Sequence, residues 1–204
     1  MFDVLIIGGG VSGISCALVL GSAKNKPFAR DKKIGIFTHQ KSSNLQEALF
    51  NNAYGIPAGT LGVDLMLQSV QHLHEQYSHI IQMDNEKVMR IEGTSDNFMV
   101  VTNKKSYLAK TIVVAINASS TFAIQGLMQY VISHKKTIPA KNRIQLENND
   151  HLVAEGIYVA GTLAGWRSQL AIAAGSGASV ATDILTLWND GNHAQAHDSI
   201  KKKE

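Results

Sequence analysis

Three glycines near the start of the chain, in the pattern Gly8-x-Gly10-x-x-Gly13, have the spacing needed to cradle a phosphate-bearing ligand. Gly8 permits a tight turn, Gly10 lets the backbone approach a pyrophosphate, and Gly13 allows a helix to pack closely on a strand. A helix opening at Val11 and Ser12 offers unpaired N–H groups and the positive end of its dipole to an anion. Such turns also occur for purely structural reasons, so the pattern takes its meaning from context. Here an apolar strand precedes it, a helix follows, and a second strand arrives by position 37.

A second glycine-punctuated segment lies near the other end. The run Gly156-Ile157-Tyr158-Val159-Ala160-Gly161-Thr162 reads as a strand ending in glycine. Trp166-Arg167-Ser168-Gln169 then leads into a helix containing Ala173-Ala174-Gly175-Ser176-Gly177-Ala178. Two helix N-termini separated by the width of a sheet suit a long ligand better than a mononucleotide. Gly161, Thr162, Arg167, Ser168 and Gln169 are expected to touch that ligand, whereas Gly175 and Gly177 are expected only to permit close helix packing.

The elements that must position these residues are legible in outline. Strands are predicted at Phe2 to Ile7 and Ile34 to Phe37, flanking a helix through Ile14, Ala17, Leu18 and Leu20. Strand, helix, strand in this order implies a right-handed parallel crossover. Residues 23–33 and 40–61 read as loops. An amphipathic helix follows from about Asp64, with Leu67, Val70, Leu73 and Tyr77 on one face. Further strands are predicted at 79–83, 87–92, 97–102, Thr111 to Ile116 and Gly156 to Ala160, with a helix near 121–132 and a long small-residue helix from about Ser168 to Leu187. The polar segment after Asn189 is expected to be frayed.

With 204 residues, 45% hydrophobic and 17% charged, the composition is globular and sufficient for a full core. The formal net charge of +3 is matched by Lys201, Lys202 and Lys203 alone, so no nucleic-acid surface is expected. No stretch approaches the ~20 apolar residues of a membrane span, and acidic Asp3 precedes the first apolar run, unlike a secretory signal. A cytoplasmic protein without membrane contact is therefore expected. One cysteine, Cys16, excludes an internal disulfide, a cysteine cluster for zinc and a Cys-x-x-Cys pair. His193 and His197 have helical metal-pair spacing but no third ligand nearby, and no metal is expected. His72 and His74 point to different helix faces, and Ser12 lacks a nucleophile-elbow motif.

The paired motifs resemble the FAD-binding domain of thioredoxin reductase-like flavoproteins in the pyridine nucleotide–disulfide oxidoreductase family. Asn52-x-x-Gly55-x-Pro57, Gly62-x-x-Leu65-Met66 and Val113-Val114-Ala115-Ile116-Asn117-Ala118 are similar to further segments of that family, in its order. The likeness spans about residues 2–118 and 143–187. It implies an α/β fold, a Rossmann-like parallel sheet with a small antiparallel β-layer. Residues 1–188 would form one FAD-binding domain from two segments (1–118 and 143–188), joined by a short connection and followed by a polar tail over 189–204. It also implies FAD as cofactor, Asn52 among the cofactor contacts, and a homodimer, since the family commonly dimerises.

The departures narrow the activity. The family inserts a separate NAD(P)H domain between its two FAD segments, but only about 36 residues separate Ala118 from Ala154 here, too few for such a domain. The redox Cys-x-x-Cys is missing, and Cys16 reads as a small buried residue. The acid expected at the end of the second strand to bind ribose is Thr38, with His39 beside it, and the acid of the family's Gly-Asp pair is Thr162. Losing two charged contacts is expected to weaken FAD about tenfold to a hundredfold without abolishing binding.

These features imply a minimal flavoprotein, an oxidoreductase fed by free NAD(P)H, a partner redox protein or a small substrate, and not a self-sufficient thioredoxin reductase. Two alternatives stand beside it. One is a flavin- or nucleotide-binding module, or a degenerate family member, without turnover; the other is an NAD-binding Rossmann protein using the first motif alone. No acid or base is assigned.

Overall fold

The computed structural model describes residues 1–38 and 45–197. His39 and the Lys201–Lys203 run lie outside them. The elements run β1 (Phe2–Ile7), α1 (Val11–Ser22), β2 (Ile34–Phe37), β3 (Leu49–Phe50), β4 (Thr60–Leu61), α2 (Gly62–Gln76), β5 (Ile81–Met83), β6 (Val88–Thr94), β7 (Asn97–Thr102) and β8 (Ser106–Val114). They continue with β9 (Val131–Ser133), β10 (Ile144–Leu146), β11 (Leu152–Ala154), β12 (Ile157–Val159) and α3 (Leu170–Trp188).

The main sheet has the order β11-β12-β8-β1-β2-β5, parallel except where β11 meets β12. Alternation along β1 explains its central place. Val4 and Ile6 face the helices α1 and α3, while Leu5 and Ile7 face the opposite core with Ile112, Val114 and Phe122. The long β8 belongs to two assemblies. Phe98 of β7 opposes Ala109 in an antiparallel pair, while Ile112, Val113 and Val114 lie between Leu5, Ile6 and Ile7 of β1 and Ile157, Tyr158 and Val159 of β12. The antiparallel layer expected from the resemblance is thus β6, β7 and the first half of β8, an extension of the same sheet.

Four expectations need correction. No α-helix forms over 121–132. Gln125 instead pairs along β6 through Ile91 N–H to Gln125 C=O (2.9 Å) and Gln125 N–H to Met89 C=O (3.0 Å), and a single 3-10 turn, Met128–Tyr130, leads into β9. Phe122, Ile124 and Leu127 are buried in the core, so their apolar spacing reports burial against a sheet edge, not a helical face. Leu67 is 68% exposed, and Leu73 is the buried hydrophobic residue of α2. The segment after Asn189 is not all frayed, for Ala194 is buried and Thr186 accepts its N–H. Finally, α3 with its 19 residues is long and apolar enough to cross a membrane by length and composition. Here it lies on the sheet beside α1, burying Val180, Ala181, Ile184 and Leu185.

Candidate functional site

The turn from β1 into α1 is built by contacts that leave no room for side chains. Gly8 adopts φ +118°, and a Cβ there would stand 2.5 Å from the Ala115 carbonyl oxygen. A Cβ on Gly13 would stand 1.8 Å from the Gly8 carbonyl oxygen, so the helix sits directly on the turn. Gly10 is different: a Cβ there would meet nothing within 4 Å. It borders open space. No side chain caps α1 and no acid occupies its first turn, so its leading N–H groups keep their capacity for an anion.

The second motif arrives at the same place. Gly161 (φ +75°) packs on Ser12, where a Cβ would approach the Ser12 side-chain oxygen to 2.6 Å, and its N–H donates to Ser176 Oγ at 2.8 Å. Ser15 Oγ donates to the Ala174 carbonyl at 2.7 Å, tying α1 to α3. Like α1, α3 opens without a side-chain cap or an acid in its first turn. Gly177 serves close packing as expected, but Gly175 does not, being exposed with open space around it.

Between the two helix openings lies a cavity of about 610 Å³, within the range of cofactor sites. Of the expected contacts, Gly8, Gly10, Val11, Ser12, Thr162, Ser168 and Gln169 line it. Gly13 and Gly161 act beneath its wall, through packing. Thr38, Asn52 and Arg167 stand outside the lining. The Thr38 hydroxyl donates to Asp84 Oδ1, across the ends of the neighbouring strands β2 and β5. Asn52 is exposed in the loop after β3, and Arg167 reaches over the surface to the Lys136 carbonyl at 3.4 Å.

Several lining residues carried no sequence signal. Phe37, Val88, Phe122 and Ile124 are core residues whose edges face the cavity, and Glu86 is a lone acid in a polar turn between two strands. Glu86 is nonetheless buried. Its Oε1 accepts from Tyr107 O–H at 2.6 Å and its Oε2 from Thr102 O–H at 2.8 Å. Burial raises its pKa, but these hydrogen bonds and the nearby Lys105 and Lys104 outweigh that and hold the carboxyl below its ordinary range. Cys16, fully buried in α1, is the opposite case, its thiol pushed up by burial alone. Among the described residues, no group of three or more His, Cys, Asp or Glu side chains is gathered to hold a metal.

The pyridine nucleotide-disulphide oxidoreductase family pattern matches residues 2–177 of the chain. The chain belongs to that family. In fold, this family member is similar to a thioredoxin reductase from Gloeobacter violaceus (TM-score 0.71, 13% identity, 98% of this chain and 99% of that one). It is also similar to a ferredoxin-flavin thioredoxin reductase from Clostridium acetobutylicum (TM-score 0.67, 18% identity, 93% and 98%) and to the Lactococcus lactis thioredoxin reductase (TM-score 0.68, 13%, 93% and 100%). No curated protein matches it by sequence. At these identities the structural likenesses speak to fold. The mixed sheet with its antiparallel extension is the thioredoxin reductase-like fold.

Proposed function

We propose that this family member is a cytoplasmic, FAD-binding flavoprotein with oxidoreductase activity, fed by free NAD(P)H, a partner redox protein or a small substrate. One observation carries the reading: two uncapped helix N-termini, from opposite ends of the chain, open into one cavity that also borders the empty side of Gly10. That donor set suits a pyrophosphate-linked ligand long enough to span both helices. Gly8, Gly10, Val11 and Ser12 would hold the phosphates, while Thr162, Ser168 and Gln169 would meet the flavin-bearing half. Residues 1–188 would act as one cofactor domain assembled from 1–118 and 143–188.

Bound FAD would supply hydride and single-electron transfer. The chain's own residues contribute position and field: the α3 dipole favours negative charge near Ser168, and Phe37, Val88, Phe122 and Ile124 give the cavity a dry apolar wall. Thiol–disulfide exchange is not part of the proposal, because the single thiol is buried and protonated. Leu49, Leu61, Val63 and Leu67 are exposed around the β3–β4 pair and the start of α2, which supports a homodimer through that face.

The test is the absorption spectrum of the purified chain. Flavin bands near about 370 and 450 nm, properties of the oxidised cofactor, are expected, with bleaching by NADH, NADPH or a reduced carrier under anaerobic conditions. A colourless protein that binds NAD alone would replace this reading with the NAD-binding one. A yellow protein that no donor bleaches would favour a binding module.

A further inference from the structure

The carboxylate that Rossmann folds place at the end of the second strand, to bind a ribose hydroxyl, is absent here, and its replacement is turned away. Thr38 gives its hydroxyl proton to Asp84 and does not line the cavity. Yet the cavity is not without an acid. Glu86 is the single acidic residue among the described residues lining it, at the end bounded by Phe37, where β2 stops, and Val88.

We propose that Glu86 supplies the missing carboxylate and fixes the adenosine half of the ligand, so that the acid has moved from the tip of β2 to the turn between β5 and β6. The inference rests on the FAD reading above. Each Glu86 oxygen accepts one hydrogen bond, from Tyr107 or Thr102, and retains a lone pair for a second. Those two donors lock the side chain, and Tyr107 is itself wedged edge-on against Phe2 and Phe37, so the carboxylate is preorganised. With its proton lost at neutral pH, Glu86 can only accept, which suits hydroxyl and amino donors of an adenosine and repels phosphate. Lys87, the only basic lining residue among those described, follows it directly.

The experiment compares three probes, FAD, FMN and ADP, binding to the full chain freed of any cofactor. FMN shares the flavin half of FAD, and ADP shares the adenosine half. For Glu86→Gln, which keeps the acceptor for Tyr107, the dissociation constants of FAD and ADP are expected to rise about tenfold, while that of FMN stays within about twofold of wild type. Glu86→Asp, which keeps the charge but withdraws it by one methylene, should fall between wild type and Glu86→Gln for ADP and covers the case in which the glutamine variant fails to fold.

Equal weakening of FMN, or unchanged ADP binding, would overturn the assignment. So would Asp84→Asn producing the loss that Glu86→Gln does not. A chain that binds ADP through Glu86 but no flavin would sink the FAD reading and leave this one standing. A chain that binds none of the three overturns both.

Discussion

A Cβ placed on Gly177 would lie 1.9 Å from the carbonyl oxygen of Ser12. These two residues, 165 positions apart in sequence, mark where α3 rests on the first turn of α1, and therefore where the two halves of the cavity are locked together. Gly177→Ala drives a methyl group into the Ser12 backbone, and neither helix can yield without moving its N-terminus. A loss of about 1–3 kcal/mol in unfolding free energy is expected, read by urea denaturation. A loss within about 0.5 kcal/mol would show that the helices slide freely.

Gly10→Ala should behave in the opposite way. The residue already has φ −76°, open to any side chain, and faces empty space. Folding stability should change by less than about 0.5 kcal/mol, while, on the FAD reading proposed above, FAD affinity falls at least about tenfold because the methyl would occupy the ligand's path. Titration of the variant with FAD, alongside its thermal melt, separates the two effects.

Cys16 should resist thiol reagents while the protein is folded. It is fully buried and its pKa is raised by desolvation, so the reactive thiolate is suppressed. Reaction with a disulfide reagent should reach less than one-tenth of completion in the time that denatured protein reacts fully (an order-of-magnitude expectation). Fast labelling of native protein would mean that α1 opens readily.

Asp3 ties the start of β1 to its surroundings. Burial raises its pKa, but the Lys33 N–H at 2.9 Å, the Lys110 ammonium at 3.0 Å and the more distant Lys32 together bring it below the ordinary value. A carboxyl whose pKa is lower folded than unfolded stabilises the fold above the unfolded value, about 3.9. That contribution is lost as pH falls through the folded value. Asp3→Asn should therefore be less stable than wild type at pH 7, with the difference shrinking below about pH 4. A difference that does not change with pH would assign the effect to packing.

The parts of this fold that the sequence made readable are those where local chemistry and tertiary role agree. The glycine spacing at 8, 10 and 13 is a backbone requirement written in residue type. The runs at Val4–Ile7, Ile34–Phe37 and Val113–Val114 are apolar because both faces of a parallel sheet are covered. What escaped reading depends on partners distant in sequence. Gln125 sits in an edge pairing with β6 that no periodicity announces, and Phe122, Ile124 and Leu127 take helix-like spacing from irregular chain packed on a sheet. Glu86 carries no sequence signal because its two donors, Thr102 and Tyr107, arrive from β7 and β8. Thr38 reads from sequence as a ligand contact, but its hydroxyl is claimed by Asp84, just past β5, whose end cannot be aligned with β2 from spacing alone.

The arrangement of α3 over α1 also has a consequence for biosynthesis. As the ribosome feeds out β1 to β8, the first glycine turn has no second wall, since β12 and α3 follow them in the chain. Any cofactor that needs both helix openings must then wait for translation of α3. Truncation within α3 would leave a chain with much of its sheet but without the packing that holds the second opening against α1.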